Sequence, residues 1–136
     1  MSWLEFVAEQ WPLVTILAVL VAAFLVFESR KGGTVVSHHQ ATRLLNDERA
    51  LLLDIRDASE FKAGHITGAV NIPYASLGNR ISELDKHKTK QIIVADKMGQ
   101  HAGAAGKTLR DKGFDVARLQ GGMAEWKHQN LPLVKA

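Results

Sequence analysis

The sequence predicts an α/β domain, with helix layers on both faces of a central, mostly parallel sheet, and one transmembrane helix before it. Two observations predict this architecture. An uncharged apolar run stands near the start of the 136-residue chain and has nearly the length of a membrane anchor. After it, short apolar runs alternate with helical patterns, which is typical of parallel strands joined by helices.

Composition narrows the possible functions. Of the residues, 46% are hydrophobic and 23% are charged, which is close to the globular average and unlike disordered or multi-span membrane chains. The formal charge is only +3 and the charges are scattered, so nucleic acid is not an expected partner. The chain has no cysteine. Disulfides, cysteine metal sites and a cysteine nucleophile are therefore excluded.

The N-terminal part divides into a short tail, residues 1–10, and a predicted anchor helix, residues 11–29. The run from Trp11 to Phe27 is uncharged and would extend about 26 Å as a helix, slightly less than a hydrocarbon core of roughly 30 Å. Apolar residues upstream extend this character, and Trp3 and Trp11 suit the membrane interface. We therefore expect a single-pass helix that binds the lipid bilayer.

Three alternatives to an anchor compete. A cleaved signal peptide would begin with basic residues and end in a small-residue cleavage site, and the sequence shows neither clearly. A buried core helix that is apolar all round needs a larger protein to cover it. An interfacial amphipathic helix would show a polar face, which the apolar run lacks. An uncleaved transmembrane helix is the favoured interpretation.

Flanking charge predicts the orientation of this anchor. No Lys or Arg precedes the apolar run, whereas Arg30, Lys31 and Arg43 follow it. The positive-inside rule therefore places the N-terminus outside and the following domain in the cytoplasm. The membrane that we expect to hold the anchor is a bacterial inner membrane. Residues 30–34, which include Gly32 and Gly33, are predicted to form a linker.

The predicted domain covers residues 35–134. Its strands are short apolar runs that suit a sheet covered on both faces: Thr34 to Val36 at an edge, Ala50 to Asp54, Ala69 to Ile72, Gln91 to Ala95 and Val116 to Leu119. Helices are predicted between these runs: His38 to Asp47 with Ser37 as N-cap, Ser59 to Ala63, Ser76 to Asp85, Ala102 to Lys112 with Gly113 after it, and Met123 to Gln129.

Sites in parallel sheets form where strands end and helices begin. Three junctions fit this rule: Asp54 with Arg56, Pro73 with Tyr74, and a segment that we name the Asp96 loop. The Asp96 loop consists of Asp96, Lys97, Met98, Gly99, Gln100, His101 and Ala102. Because it turns from a strand into a helix, its backbone N–H groups would converge on one point and form a cradle for an anion.

Two motifs resemble the rhodanese-homology domain family, in its single-domain type. The run from Leu51 to Pro73 is similar to the family's first signature, and the segment from Leu119 to Val134 resembles its closing signature. The matching residues are Asp54, Arg56, Glu60, Gly64, His65, Ile66, Gly68, Ala69, Asn71, Ile72, Pro73, Gly121, Gly122, Trp126, Leu131 and Pro132. One departure is Asn130, where the family usually has glycine.

The resemblance implies sulfur transfer by a cysteine directly after the fourth strand, with loop amides that hold its persulfide. In this chain Asp96 stands at the cysteine position, Gly99 at the loop glycine, His101 where arginine is common and Ala102 where many members have serine. Because aspartate cannot form a persulfide, no catalytic residue is expected. The Asp96 carboxylate would instead fill the cradle with its own charge and repel thiosulfate, sulfate or phosphate.

Other residues have structural interpretations. Asp54 and Arg56 are expected to form a charged buttress at the end of their strand, His65 to donate to a backbone carbonyl, and Trp126 to lie in the core. The six histidines lack metal-ligand spacing, so neither a metal nor another cofactor is expected. The stretch from Lys86 to Lys90 predicts a solvated loop, with contact to anionic headgroups as the alternative.

The sequence therefore predicts a membrane-anchored, cytoplasm-facing binding or regulatory module without sulfurtransferase activity. Its expected partners are the bilayer and a protein, either a membrane protein or a sulfur-carrying enzyme, that docks around the Asp96 loop. Two enzymatic alternatives stay open: sulfurtransferase activity by another route, and an acyl-phosphate formed on Asp96. A third alternative is a purely stabilising or oligomerising role in a larger membrane assembly.

Overall fold

The computed structural model describes residues 2–30 and 34–135. The chain divides into two compact units, the first ending at Arg30 and the second holding the rest of the chain. Residues 31–33 of the predicted linker lie outside the described residues.

The N-terminal unit contains two helices, α1 (Trp3–Glu9) and α2 (Trp11–Arg30). Among the described residues, no single helix is both long and apolar enough to cross a membrane, whereas α1 and the part of α2 up to Phe27 qualify as a pair that is bent by 78°. The upstream apolar residues thus form a helix of their own instead of lengthening the anchor. The spanning helix stays a prediction.

The second unit is built on a parallel sheet with the strand order β1-β5-β4-β2-β3. The strands are β1 (Thr34–Val36), β2 (Ala50–Asp54), β3 (Val70–Asn71), β4 (Gln91–Ala95) and β5 (Val116–Leu119). Every pairing between these described strands is parallel. The predicted α/β class with a parallel sheet is confirmed, and β4 lies at the centre of the sheet.

Among the described residues of the second unit, four helices connect consecutive strands, and a fifth follows the last strand. They are α3 (His38–Asn46), α4 (Ala58–Ala63), α5 (Leu77–Arg80), α6 (Ala102–Asp111) and α7 (Gly122–His128). The start of α3 shows how the sequence specifies one of them, because Ser37 Oγ accepts a hydrogen bond from the Gln40 N–H at 3.2 Å. Gln40 Oε1 accepts the Ser37 N–H in return at 3.1 Å, which completes a capping box.

The helix predicted from Ser76 to Asp85 is wrong in type. The chain there forms a 3₁₀ turn (Tyr74–Ser76), the four-residue helix α5 and a 3₁₀ helix (Ile81–His87). Gly78 and Asn79 lie within α5, and both have low helix propensity, so a long α-helix has little local support. Strand β3 is also shorter than the four-residue run that the sequence predicts, and it pairs only at its two central positions.

Both faces of the sheet are covered, which explains the continuous apolar runs of the strands. Along β4, Ile92 and Val94 belong to one core cluster, whereas Ile93 and Ala95 belong to the other. The first cluster includes residues of α6, and the second includes residues of α3 and α7. All four of these side chains are fully buried. Burial of each larger aliphatic side chain contributes about 1.5–3 kcal/mol to stability.

Candidate functional site

The Asp96 loop leaves the sheet at the carboxyl end of the central strand. β4 ends at Ala95, and α6 begins at Ala102, so the loop turns directly into the N-terminus of a ten-residue helix. In parallel sheets this edge is where ligands bind, because strand ends and helix N-termini meet there.

The side chain of Asp96 occupies the centre of this loop. Its Oδ1 accepts a hydrogen bond from the Gly99 N–H, and its Oδ2 accepts the N–H groups of His101 at 2.6 Å and Ala102 at 3.2 Å. Asp96 is only 4% exposed. Gly99 has a φ of +91°, a conformation that side chains disfavour. The loop amides therefore converge on one point, and the Asp96 carboxylate fills it.

The N-terminus of α7 holds the same loop by its backbone. The Met123 N–H donates to the Asp96 carbonyl oxygen at 2.7 Å, and the Ala124 N–H donates to the Lys97 carbonyl oxygen at 2.8 Å. Gly122 permits this close approach, because a Cβ atom there would lie 2.6 Å from the Asp96 carbonyl oxygen. This glycine of the closing motif brings α7 onto the loop.

A buried ion pair lies at the end of β2, the strand next to β4. Arg56 Nη2 lies 2.7 Å from Asp54 Oδ2, and Arg56 Nε lies 3.0 Å from Asp54 Oδ1. The two side chains are 1% and 0% exposed, respectively. Arg56 also donates to the Gly64 carbonyl oxygen at 2.8 Å. The guanidinium thus ties the strand end to the turn after α4, and loss of one partner from such a pair typically costs about 3–5 kcal/mol.

Asn71 supports this ion pair from β3, a role that the sequence does not reveal. Its Nδ2 donates to the carbonyl oxygens of Asp54 and Arg56, each at 3.0 Å. Asn71 follows these residues by 17 and 15 positions in the chain. Because no local spacing rule connects positions so far apart, only its place in the motif could have drawn attention to it.

A cleft of about 320 Å³ lies against the Asp96 loop. Tyr74 contributes to its lining and stacks on His101, with ring centroids 4.5 Å apart. This stacking was not predicted, although the Pro73-Tyr74 junction after a strand was the signal that pointed to the region. The cleft is lined by Ile55, Arg56, Asp57, Glu60, Tyr74, Ala75, Asp96, Lys97, Gln100 and His101.

Three other motif residues lie outside this lining and serve the fold. His65 is buried, and its Nδ1–H donates to the Phe61 carbonyl oxygen at 2.8 Å. Trp126 is buried, and its Nε1–H donates to the Pro132 carbonyl oxygen at 3.1 Å. Gly121 precedes α7 with a φ of +70°, where glycine has no steric penalty.

The residues of this site support few reaction types. Transfer of a persulfide sulfur requires a thiolate, and the chain has no cysteine. An aspartyl nucleophile needs an accessible oxygen, whereas Asp96 is buried and both of its oxygens accept backbone N–H groups. Within residues 2–30 and 34–135, no group of three or more His, Asp or Glu side chains is placed to hold a metal ion.

Comparison with known proteins identifies the relatives of this chain. Residues 37–129 match the family described as Rhodanese-like domain. The chain is 38% identical over 122 residues to the uncharacterized protein YibN of Escherichia coli strain K12, which covers 88% of this chain and 84% of YibN. It is 32% identical over 104 residues to the thiosulfate sulfurtransferase GlpE of Actinobacillus pleuropneumoniae serotype 5b, which covers 76% of this chain and 94% of GlpE.

Solved structures show the same fold. A full-length protein from Lactobacillus plantarum matches with a TM-score of 0.68 and 26% identity, over 88% of this chain and 98% of that chain. A rhodanese-related protein from Thermoplasma volcanium matches with a TM-score of 0.66 and 25% identity, over 76% of this chain and 99% of that chain. The resemblance inferred from the sequence motifs is confirmed.

Proposed function

The chain belongs to the rhodanese-like domain family, and because it has no cysteine we propose that it lacks sulfurtransferase activity and acts by binding a protein partner. We also propose that α2 anchors it in a membrane with the domain facing the cytoplasm. The observation that carries the proposal is the Asp96 carboxylate in its loop. It accepts three backbone N–H groups, the donors that would otherwise hold the sulfur of a catalytic cysteine.

Charge supports the loss of activity. Thiosulfate is an anion, and a carboxylate at the head of the loop repels it. A relative named as a thiosulfate sulfurtransferase shares 32% identity with this chain, so the fold suits this class of substrate. What this chain lacks is a sulfur atom that could accept and pass on the transferred sulfur, since it has no cysteine.

The surface of α2 supports the anchor. Every large apolar side chain from Trp11 to Phe27 is 47% exposed or more. A helix with apolar side chains exposed all round is unfavourable in water and favourable in lipid. The basic residues Arg30 and Lys31 follow this run, which favours an orientation with the N-terminus outside. The proposed location is a bacterial inner membrane.

The exposed side of the Asp96 loop is the proposed docking surface. Lys97, Met98 and Gln100 are exposed, Met98 at 61%, whereas Asp96 is buried. A methionine side chain adapts its shape to a partner, and Lys97 offers a charge for an acidic group. The proposed partner is a membrane protein, because the anchor keeps the domain at the bilayer, or a sulfur-carrying enzyme, because of the family.

The sulfurtransferase proposal is tested by restoring the missing thiol in the full-length protein in detergent. We expect the wild type to show no thiosulfate:cyanide sulfurtransferase activity above background. Asp96→Cys should raise the rate at least about tenfold, because preorganised amides stabilise developing charge by that factor or more. The matched control is Asp111→Cys, which places a thiol at an exposed position on α6 and should remain at background.

Three results would contradict this account. Activity of the wild type would show that sulfur transfer proceeds without cysteine, so the chain would be an enzyme. Equal activity of the two cysteine variants above background would show that any thiol suffices and that the loop amides contribute nothing. Background activity of both variants would show that the loop does not support sulfur transfer even with a thiol in place.

A further inference from the structure

Helix α1 has two chemically different sides. At about 3.6 residues per turn, Trp3 and Val7 lie one above the other on one side, and Glu5 and Glu9 lie on the opposite side. Leu4 and Phe6 flank the apolar side, so that side is broad for a helix of two turns. Trp3, Leu4 and Phe6 are all more than half exposed. This separation of faces is absent from α2, whose run up to Phe27 is apolar all round.

The direction of the chain changes sharply between the two helices. Their axes are bent by 78° where Gln10 separates them. Pro12, at the second position of α2, provides the reason, because its nitrogen has no hydrogen to donate to the carbonyl of Ala8 and its ring crowds that carbonyl. If α2 crosses a bilayer with an ordinary tilt of about 20°, α1 runs close to the membrane plane.

The apolar run of α2 is shorter than a hydrocarbon core, and α1 can make up the difference. The run from Trp11 to Phe27 is about 26 Å long and, at a tilt of about 20°, crosses about 24 Å of the bilayer, roughly 6 Å less than a typical hydrocarbon core. An amphipathic helix that lies in the interface sinks its apolar face by about 5–10 Å, which is sufficient to cover this shortfall. Trp3 and Trp11 would then both lie at the interfacial level where tryptophan is enriched.

Two backbone N–H groups at the start of α1 are paired, which suits a helix end in a poorly hydrated environment. Ser2 Oγ accepts the Glu5 N–H at 3.2 Å, and Glu5 Oε2 accepts the Ser2 N–H at 3.0 Å, which forms a capping box. Unpaired backbone N–H groups are costly in an apolar environment, and this box satisfies two of them at the end of the helix.

We propose that α1 is an interfacial helix, lying along the outer surface of the bilayer with Trp3 and Val7 toward the lipid and Glu5 and Glu9 toward water. This inference rests on the proposed anchor. The partner is a phospholipid surface, which the apolar side of α1 meets directly before the chain enters the membrane through α2.

Cysteine scanning tests the proposal, because the natural chain has no cysteine. Full-length variants with one cysteine each, Trp3→Cys, Glu5→Cys, Val7→Cys and Glu9→Cys, are placed in vesicles of mixed zwitterionic and anionic phospholipids. A polar maleimide is supplied on both sides of the membrane. We expect positions 3 and 7 to react at least about tenfold more slowly than positions 5 and 9, because lipid covers only the apolar face.

Two reference variants separate failure of this inference from failure of the anchor. Val19→Cys reports on the middle of α2, and Lys112→Cys reports on an exposed position in the domain. Uniformly fast labelling at the four α1 positions, with Val19→Cys protected, would place α1 in water and overturn the inference alone. Uniformly slow labelling would make α1 part of the span. Fast labelling of Val19→Cys would overturn the anchor and the interfacial helix together.

Discussion

Two buried carboxylates stand at the ends of neighbouring strands, and the chain stabilises each one differently. Asp54, at the end of β2, is paired with the guanidinium of Arg56. Asp96, directly after β4, accepts only backbone N–H groups among its described hydrogen bonds. A buried charge without such partners is strongly unfavourable. Because backbone N–H groups alone hold the Asp96 carboxylate, this loop needs no basic side chain turned toward Asp96, and Lys97 is exposed.

Gly122 is the residue on which the contact between α7 and the Asp96 loop depends. Gly122→Ala would place a Cβ atom 2.6 Å from the Asp96 carbonyl oxygen, at a φ of +62°. Both the clash and the backbone conformation are unfavourable, so we expect a loss of about 2 kcal/mol or more in the free energy of unfolding. Urea denaturation of the variant and the wild type measures this loss.

Gly78→Ala is the matched control for that substitution. A Cβ atom at Gly78 would meet nothing within 4 Å, and the residue lies in the short helix α5. Alanine in a helix is more stable than glycine by up to about 1 kcal/mol, so this variant should equal or exceed the wild type. If Gly122→Ala unfolds at the same urea concentration as Gly78→Ala, the close approach of α7 does not exist.

Asn130 shows how a departure from a motif is tolerated. It follows α7 with a φ of +55°, the left-handed conformation in which glycine is preferred after a helix. Asparagine is the side chain that best tolerates this conformation. The residue that differs from the family pattern therefore still meets the backbone requirement of that position.

At the level of elements, the C-terminal segment is joined to the turn after α4. His65 and Val134 exchange two backbone hydrogen bonds, both at 2.8 Å, and form an antiparallel bridge. The Trp126 indole donates to Pro132 in the same segment. The first and closing motifs of the family therefore contact each other directly, although they lie at opposite ends of the domain sequence.

The 3₁₀ helix that ends at His87 makes stability depend on pH. Burial lowers the pKa of His87 below its ordinary 6.5, and the charges of Lys86 and Lys90 lower the pKa further. The unfolded chain therefore binds the proton first as the pH falls. The stability that the neutral histidine contributes is fully present above the unfolded pKa and is lost as the pH falls through the lower folded pKa.

His87→Gln removes this dependence. We expect the urea midpoint of the wild type to fall more steeply than that of the variant between about pH 7 and pH 5. Lys86→Gln removes one of the two charges that lower the pKa of His87. The pH dependence of its urea midpoint should therefore lie between that of the wild type and that of His87→Gln. Parallel slopes for the wild type and His87→Gln would show that His87 titrates equally in the folded and unfolded chains.

At the scale of the whole molecule, the proposed function predicts where the domain lies and what surrounds it. A biotin ligase fused to the C-terminus of the full chain needs ATP, which the cytoplasm supplies. We expect biotinylated neighbours in cells, and we expect the double variant Lys97→Ser, Met98→Ser to lose part of that set. The variant should do so because it alters the exposed side of the Asp96 loop and leaves the hydrogen bonds of Asp96 in place. Mass spectrometry of the biotinylated proteins identifies the neighbours of the wild type and of the variant.

Lys107→Ser with Lys112→Ser is the matched control, since both lysines are exposed and belong to the region of α6 and its end. This variant should retain the neighbours of the wild type. Absence of biotinylation from the wild type would place the domain outside the cytoplasm. Identical neighbours for the wild type and the loop variant would remove the loop as the docking surface.

Much of the fold could be predicted from the sequence because its signals are local. The apolar runs that became β2, β4 and β5 are continuous since both faces of the sheet are covered, and the Ser37 cap of α3 is a four-residue pattern. The region after Pro73 could not be predicted in detail. Its 3₁₀ segments depend on packing against one face of the sheet, where Leu77 and Leu84 join the core cluster. Such packing overrides weak local helix propensity.

By itself, the sequence determined the α/β class, the family and the absence of a catalytic cysteine, because apolar periodicity, motif spacing and residue counts need no coordinates. Only the tertiary structure decided how the site is held together. Asp96 meets α7 through Met123, and Asn71 reaches the carbonyls of Asp54 and Arg56. These partners are far apart in the chain, and they meet because the strand order β1-β5-β4-β2-β3 brings the ends of different strands to one edge.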